Sequence, residues 1–393
     1  MIVPLARATV ASCGAKAAAL GVLLRAGLPV PDGFVVPFDV YRRAEGNADA
    51  ALPGDLVELL RRGLDEIGDP PVAVRSSAAH EDTAAASAAG QYESVLGVRG
   101  AGEVAQAIRT CWASLHSARA VAYQEGTGSE SAMAVLVQRL VDADVGGVMF
   151  TAGPDGPTVI EASWGLGASV VGGAVTPDAY QVMDGVVSTT VGDKRIRLDR
   201  RAGGLTTSTV PGADRRRACL DDATAVRIAR LGDVVAGLSG APQDIEWAIS
   251  DQTIWLLQSR PITVAPPAPP SAPMSVPLST PSPGPGKAGA FTGTPASGGT
   301  ATGVARIVRG PADFARFRQG DILVCRYTDP AWTPLFRVAA GVVTETGGVL
   351  SHAAIVAREY RIPAVLGLPQ AMTVLGDGAL ITVDGTAGTV TTQ

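Results

Sequence analysis

Thr346-Gly-Gly-Val-Leu-Ser351-His352-Ala-Ala-Ile-Val-Ala-Arg358-Glu359-Tyr-Arg-Ile-Pro363-Ala-Val-Leu-Gly367 holds one of only three histidines in 393 residues. Gly347-Gly348 permits positive φ and close approach of the backbone. Ser351 is an N-cap residue type, which predicts a helix opening at His352 or Ala353. Ala353 to Ala357 supply compact apolar first turns. An imidazole at a helix N-terminus lies beside N–H groups and the positive end of the dipole, a setting that suits an attached phosphate. On the residues alone two readings stand: a phosphoryl-carrying histidine, or a capping serine beside a partly buried structural one.

Outward from this stretch, Gly298–Val308 reads as a strand-rich entry, Asp321–Cys325 and Gly341–Thr344 as strands, and His352–Glu359 as a helix. Leu380–Val383 and Thr389–Thr392 read as closing strands. Residues 291–393 are thus expected to form a small α/β sandwich, within the usual domain range. Residues 265–290 are rich in proline, glycine and serine. Proline removes donors and fixes φ, so this segment forms neither a helix nor an inner strand. It predicts a semi-rigid spacer reaching at most about 80 Å at ~3.1 Å per residue. Residues 1–264 mix both periods: helical at Ala15–Gly27, Ala101–Gln124 and Ala223–Leu238, and β-type at Val72–Val74, Val135–Val137, Gly147–Thr151, Thr158–Ala162 and Ile254–Leu257. The expected class is α/β and α+β in two domains.

Composition excludes several function classes. Hydrophobic residues are 46% of the chain, enough for sizeable cores. No apolar run approaches the ~18 residues of a membrane span. Met-Ile-Val-Pro-Leu-Ala-Arg lacks the basic start and apolar core of a signal peptide, so a cytoplasmic protein is expected. Cys13, Cys111, Cys219 and Cys325 form no CxxC pair and read as free thiols. Net charge is -5, and the basic runs Arg195–Arg201 and Arg215–Arg217 read as solvated surface rather than a nucleic-acid footprint. Lysine occurs only at positions 16, 194 and 287.

The sharpest N-terminal pattern is Asp244-Ile-Glu246-Trp247, followed by Leu257-Gln258-Ser-Arg260-Pro261. Alternation along a strand puts Asp244 and Glu246 on one face, and Gln258 and Arg260 repeat that spacing. Two carboxylates and an amide oxygen make a hard-oxygen Mg²⁺ site, and the arginine neutralises charge during phosphoryl transfer. Asp-x-Glu taken alone is common on surface strands. Val72-Ala-Val-Arg75-Ser76-Ser77 puts an arginine fork at a strand end, aimed at phosphate oxygens. Ser87-Ala-Ala-Gly90-Gln91 offers a loop of N–H groups to a polyphosphate.

These segments, with Gly14-Ala-Lys16, Cys111-Trp112-Ala-Ser-Leu-His116-Ser-Ala-Arg119 and Gln138-Arg139-Leu140, resemble in order the ATP-grasp nucleotide-binding domain of phosphoenolpyruvate synthase, pyruvate phosphate dikinase and rifampin phosphotransferase. The His352 stretch resembles the phosphohistidine motif of the swivelling domain of the same enzymes. The resemblance implies that Lys16, Arg75 and Arg119 reach ATP phosphates, that Gln138 to Leu140 form the adenine hinge, and that Ser87, Gly90 and Gln91 close over the nucleotide. It implies Mg²⁺ on Asp244, Glu246 and Gln258, with Arg260 and His352 completing the catalytic set. Gly165-Leu-Gly167-Ala168-Ser-Val-Val-Gly172, with Thr176-Pro-Asp178, resembles a further family segment to which no function is assigned. The family commonly has an acidic residue where Ala168 stands, and a bulky one at Ala88. His80 and His116 read as ordinary structural or surface residues, and Trp112 and Phe150 as core.

The implied reaction is ATP-dependent loading of the β-phosphate onto His352, with AMP and Pi released, on a carrier tethered at high effective concentration. The chain to Gln393 has no segment resembling the family's pyruvate-binding barrel, and only the linker stands where rifampin phosphotransferase has its antibiotic-binding domain. Two acceptors follow: a small molecule held between the domains, or a separate acceptor protein of a split system. Thr328, Trp332, Gly348 and Ser351 form a candidate acceptor pocket. Leu350 replaces the regulatory threonine of plant-type dikinases, so that control is not expected.

Overall fold

The computed structural model describes residues 1–44, 52, 54–78, 92–116, 132–153, 156–202, 204–265 and 289–393. The chain divides into two compact units, one of residues 1–168 and 180–263, the other of residues 169–179 and 264–393.

The first unit holds two sheets. In one, β1 (Val3–Pro4), β2 (Gly33–Val36), β3 (Val72–Ala78), β4 (Ser94–Val98) and β5 (Met133–Arg139) lie in the order β1-β2-β5-β3-β4. Every pair in it is antiparallel. β5 lies at its centre, which explains why Val135-Leu-Val reads as a continuous apolar run: both of its faces are covered. The second sheet comprises β6 (Val145–Phe150), β7 (Thr158–Trp164), β8 (Asp178–Met183), β9 (Val186–Thr190), β12 (Gln243–Ser250) and β13 (Thr253–Pro261), in the order β13-β12-β6-β7-β8-β9. A separate hairpin pairs β10 (Ile196–Arg201) with β11 (Gly204–Thr209).

Helices α1 (Val10–Arg25), α2 (Phe38–Arg43), α3 (Gly54–Glu66) and α4 (Gly100–Ser114) bury apolar residues in the core that these sheets share. A short helix, α5 (Ala168–Val171), and a long one, α6 (Asp222–Ser239), follow. α4 ends at Ser114, where Ala101–Gln124 was expected to continue; residues 117–131 lie outside the described ones. α1 begins five residues before the expected Ala15 and is broken at Gly14, whose φ of 79° is not helical. The break has a tertiary cause. Ser77 Oγ donates to Cys13 O (2.7 Å) and accepts from Ala17 N (3.2 Å), so a hydroxyl from β3 occupies the interrupted ladder. A Cβ at Gly14 would stand 2.5 Å from Ser77 O, so only glycine fits.

The second unit is the small α/β domain expected, built on one eight-stranded mixed sheet. Its strands are β14 (Ala290–Thr292), β15 (Thr294–Ser297), β16 (Thr300–Ile307), β17 (Ile322–Cys325), β18 (Gly341–Thr344), β19 (Ala364–Leu366), β20 (Leu380–Asp384) and β21 (Thr389–Thr392). They run in the order β14-β21-β20-β16-β17-β18-β19-β15. β16, β17, β18 and β19 pair in parallel. Alternate residues of these strands go to opposite faces, as the pleat dictates. Leu323, Cys325, Val342, Ala364 and Leu366 join one core, and Ile322, Val324, Val343 and Val365 the other. Helix α7 (His352–Glu359) lies over the first, through Ala353, Ala354, Val356 and Ala357. Residues 266–288 of the expected linker lie outside the described residues. No helix among the described residues is long and apolar enough to cross a membrane.

Candidate active site

The antiparallel register of β12 and β13 pairs Asp244 with Arg260 and Glu246 with Gln258. The alternation read from the sequence is therefore a pair of cross-strand partners. Between them, Ile245 and Trp247 are buried in the core. The register slips between Glu246 and Trp247, a bulge that ends the polar face there. Arg260 Nε and Nη2 both approach Asp244 Oδ2 at 2.8 Å, with the two side chains only 9% and 7% exposed.

Arg75 comes to this cluster from the other sheet of the unit. It lies within β3 rather than at the strand end expected, because pairing with β5 continues to Ala78. Its Nη1 donates to Glu246 Oε2 (3.0 Å) and Gln258 Oε1 (3.4 Å), with Arg75 and Glu246 12% and 22% exposed. Asp244, Glu246, Arg75 and Arg260 thus form a cluster with balanced charge, since an unpaired ion removed this far from water would be strongly disfavoured. Lys16 is also mostly buried, on α1 just past the break that Ser77 fills. Ser77 therefore serves the helix that carries Lys16.

The donor set suits Mg²⁺. Asp244, Glu246 and Gln258 present hard oxygens on neighbouring strands. No group of three His, Cys, Asp or Glu side chains among the described residues is arranged for a metal; here an amide oxygen is the third donor. Arg75 Nε is buried with no hydrogen-bond partner among the described residues, a donor suited to an anion carried with the metal.

Gln138 and Leu140 fall where β5 ends. Gln138 is buried and donates through Nε2 to Pro31 O (3.3 Å). The Leu140 N–H donates to Pro71 O (2.9 Å), so an adenine contact to that group requires this bond to be exchanged. Ser87, Gly90, Gln91, Arg119 and His80 lie outside the described residues. His116 is exposed, its Nε2 3.4 Å from Tyr41 Oη, in keeping with a surface role. Trp112 and Phe150 are core.

In the second unit His352 is the first residue of α7 and is 5% exposed. Its Nδ1 is 3.0 Å from Thr328 Oγ1, and Phe336 meets the ring edge-on at 6.4 Å between centroids. Thr328 follows β17 in a turn fixed by Asp329, whose carboxylate accepts from Ala331 N (2.8 Å). The resemblance placed Thr328 near the histidine as a candidate acceptor-pocket residue; the hydrogen bond itself joins residues 24 apart through the parallel pairing of β17 and β18. Ser351 takes the N-cap position but does not cap with its side chain: Oγ donates back to Gly348 O (2.8 Å) and closes the preceding turn. Trp332 is core, edge-on to Phe314, and Thr328 and Ser351 are fully buried. All four candidate pocket residues are buried, and Thr328 makes the described side-chain contact with His352. Arg358, one of the buried residues of α7, donates from Nη2 to Val349 O (2.6 Å) and from Nε to Ala354 O (3.1 Å), tying the helix to the loop before it.

Comparison with known proteins matches residues 45–276 to the pyruvate phosphate dikinase AMP/ATP-binding domain, and residues 317–388 to the mobile domain of PEP-utilising enzymes. The chain is 36% identical over 425 residues to a probable phosphoenolpyruvate synthase of Methanothermobacter thermautotrophicus, covering 96% of this chain and 61% of the relative. It is 35% identical over 424 residues to one from Archaeoglobus fulgidus, and 34% identical over 465 residues to the phosphoenolpyruvate synthase of Aeropyrum pernix. Each of these last two alignments covers 96% of this chain and 56% of the relative, so the chain spans somewhat over half the length of these relatives. With an ATP-grasp nucleotide-binding domain and a swivelling domain that carries His352, the chain belongs to the pyruvate phosphate dikinase and phosphoenolpyruvate synthase family.

Proposed function

We propose that the protein is an ATP-dependent, AMP-forming phosphotransferase that loads the β-phosphoryl group of ATP onto His352 and passes it to a small-molecule acceptor. The observation that carries this reading is the imidazole of His352, the first residue of its helix, with Nδ1 held by Thr328. In the tautomer whose Nδ1–H donates to Thr328 Oγ1, the lone pair for attack is on Nε2. In the balanced half reaction Nε2 bonds to the β-phosphorus and the bond from that phosphorus to the α,β-bridging oxygen breaks. AMP leaves with the oxygen. Water then takes the γ-phosphoryl group as inorganic phosphate. Acceptor attack breaks the P–N bond and returns the lone pair to Nε2.

In the nucleotide domain, Arg75, Arg260 and Lys16 are the cations that meet the polyphosphate. Mg²⁺ on Asp244, Glu246 and Gln258 supplies charge neutralisation across the phosphates. The relatives' names make pyruvate the first acceptor to test, with phosphoenolpyruvate as the product.

The test is ATP labelled at the β-phosphate, with Mg²⁺ and no acceptor, on the wild type and on His352→Ala. Acid-labile, base-stable label on the wild type alone, with stoichiometric AMP, is the expected result. Binding of ATP without label or AMP would overturn the reading. Discharge of the labelled protein by pyruvate or another small molecule, against discharge only by a second protein, then decides the acceptor class.

A further inference from the structure

Part of the segment Gly165–Asp178, which resembles a further family segment, packs within the second unit. Residues 169–179 belong to the second unit, although the strands on either side of them, β7 and β8, run on into the first. α5 ends in a Schellman motif: Gly173 N donates to Val170 O (2.9 Å) and Ala174 N to Ser169 O (3.0 Å), with Gly173 at φ 70°. That turn aims two carbonyls at the loop before His352. Gly173 O accepts from Thr346 Oγ1 (2.7 Å), and Val175 O accepts from Gly347 N (3.2 Å).

We infer that Gly172–Thr176 is a positioning strap for the His352 loop, acting through the carbonyls of Gly173 and Val175 on Thr346 and Gly347. The inference rests on His352 being the phosphoryl carrier. The loop between β18 and α7 contains Gly347 at φ 110° followed by Gly348, a pair that loses much freedom when ordered and gains most from fixed partners. The two glycines meet at ordinary contact distance, and their positive φ rather than a clash disfavours a side chain at either. A Cβ on Gly173 would lie 3.4 Å from Ser351 Cβ and 3.7 Å from Gly347 Cα, and one on Gly347 would lie 3.7 Å from both Gly173 Cα and Gly173 O.

The strap is also built to detach. The Thr346 hydroxyl has one proton and a second acceptor in reach, Arg326 O at 3.2 Å. On release of Gly173 the donor turns to that carbonyl, so the exchange leaves no orphaned hydroxyl.

The experiment uses the full chain as wild type, Thr346→Val and Thr346→Ser, read by the rate of β-label transfer from ATP to His352, by KM for ATP, and by hydrogen exchange of peptides covering residues 169–179 and 341–350. Thr346→Val is expected to slow labelling about 3- to 10-fold, the range of one hydrogen bond, with KM unchanged, and Thr346→Ser to restore it. Both peptides are expected to lose protection together in Thr346→Val and regain it in Thr346→Ser. Equal labelling rates in all three proteins, or a serine variant as slow as the valine, would overturn the strap. A wild type that takes no label overturns the proposed function instead, and the exchange data then decide the strap by themselves: uncoupled protection of the two peptides sinks it.

Discussion

At the residue scale, the most informative contact is Thr328 Oγ1 to His352 Nδ1. A histidine nucleophile needs a fixed tautomer, and the partner of one ring nitrogen decides which lone pair the other presents. Thr328→Val keeps the shape and removes the hydroxyl. It is expected to slow labelling of His352 about 3- to 10-fold while ATP affinity stays put, whereas Thr328→Ser stays near the wild type. Single-turnover labelling checks this, and an unchanged rate in the valine variant would show that the ring is oriented by packing against Phe336 instead. The sequence exposed His352 through its surroundings, a glycine turn and an apolar helix start. Thr328 entered only through the resemblance, as a pocket residue; its hydrogen bond to the ring depends on parallel strand pairing.

Among the elements, α1 shows a break filled from a distant strand: the hydroxyl of Ser77, two residues after Arg75, fills the gap at Gly14. Ser77→Ala leaves the Ala17 N–H and Cys13 carbonyl without that partner, and loss of such a cap costs about 0.5–2 kcal/mol. For a unit of this size that is a fall in melting temperature of roughly 1–8 °C, measurable by calorimetry. A melting point unmoved by the substitution would mean that the break is held by Gly14 alone.

The second unit has its own acid sensitivity. Asp377 accepts from Ile307 N (2.9 Å), and this hydrogen bond, opposed by partial burial and aided by Arg316, holds its carboxyl below the ordinary aspartate range. A depressed aspartate stabilises the fold above its unfolded-state pKa, and that contribution is lost as pH falls through the folded value. Melting of this unit is therefore expected to hold steady near neutrality and to decline in acid below the usual aspartate range. Asp377→Asn should flatten that decline and lower the neutral plateau. Identical acid profiles in the two proteins would remove Asp377 from the account.

For the molecule as a whole, the prediction concerns nucleotide binding. A ligand that binds only the folded state stabilises it by mass action, about 2.7 kcal/mol at a hundredfold excess over Kd. ATP with Mg²⁺ is thus expected to raise melting of the nucleotide domain by roughly 5–11 °C. The gain should be largely lost in Asp244→Asn, which also leaves Arg260 without its ion pair. A full gain in that variant would place the metal elsewhere.

The sequence by itself determined the elements with strong local period and the motifs whose residues are close along the chain. Asp244 with Glu246 and Gln258 with Arg260 face together because strand alternation fixes that, and α7 opens at His352 because the apolar helix start fixes it. Tertiary structure alone decided which partners those residues take. Arg75 reaches Glu246 across 171 residues, Thr346 reaches Gly173 across 173, and Trp332 packs in the core. Local pattern fixes direction along an element. It carries no information on which distant backbone carbonyl or carboxylate packing will bring within a hydrogen bond.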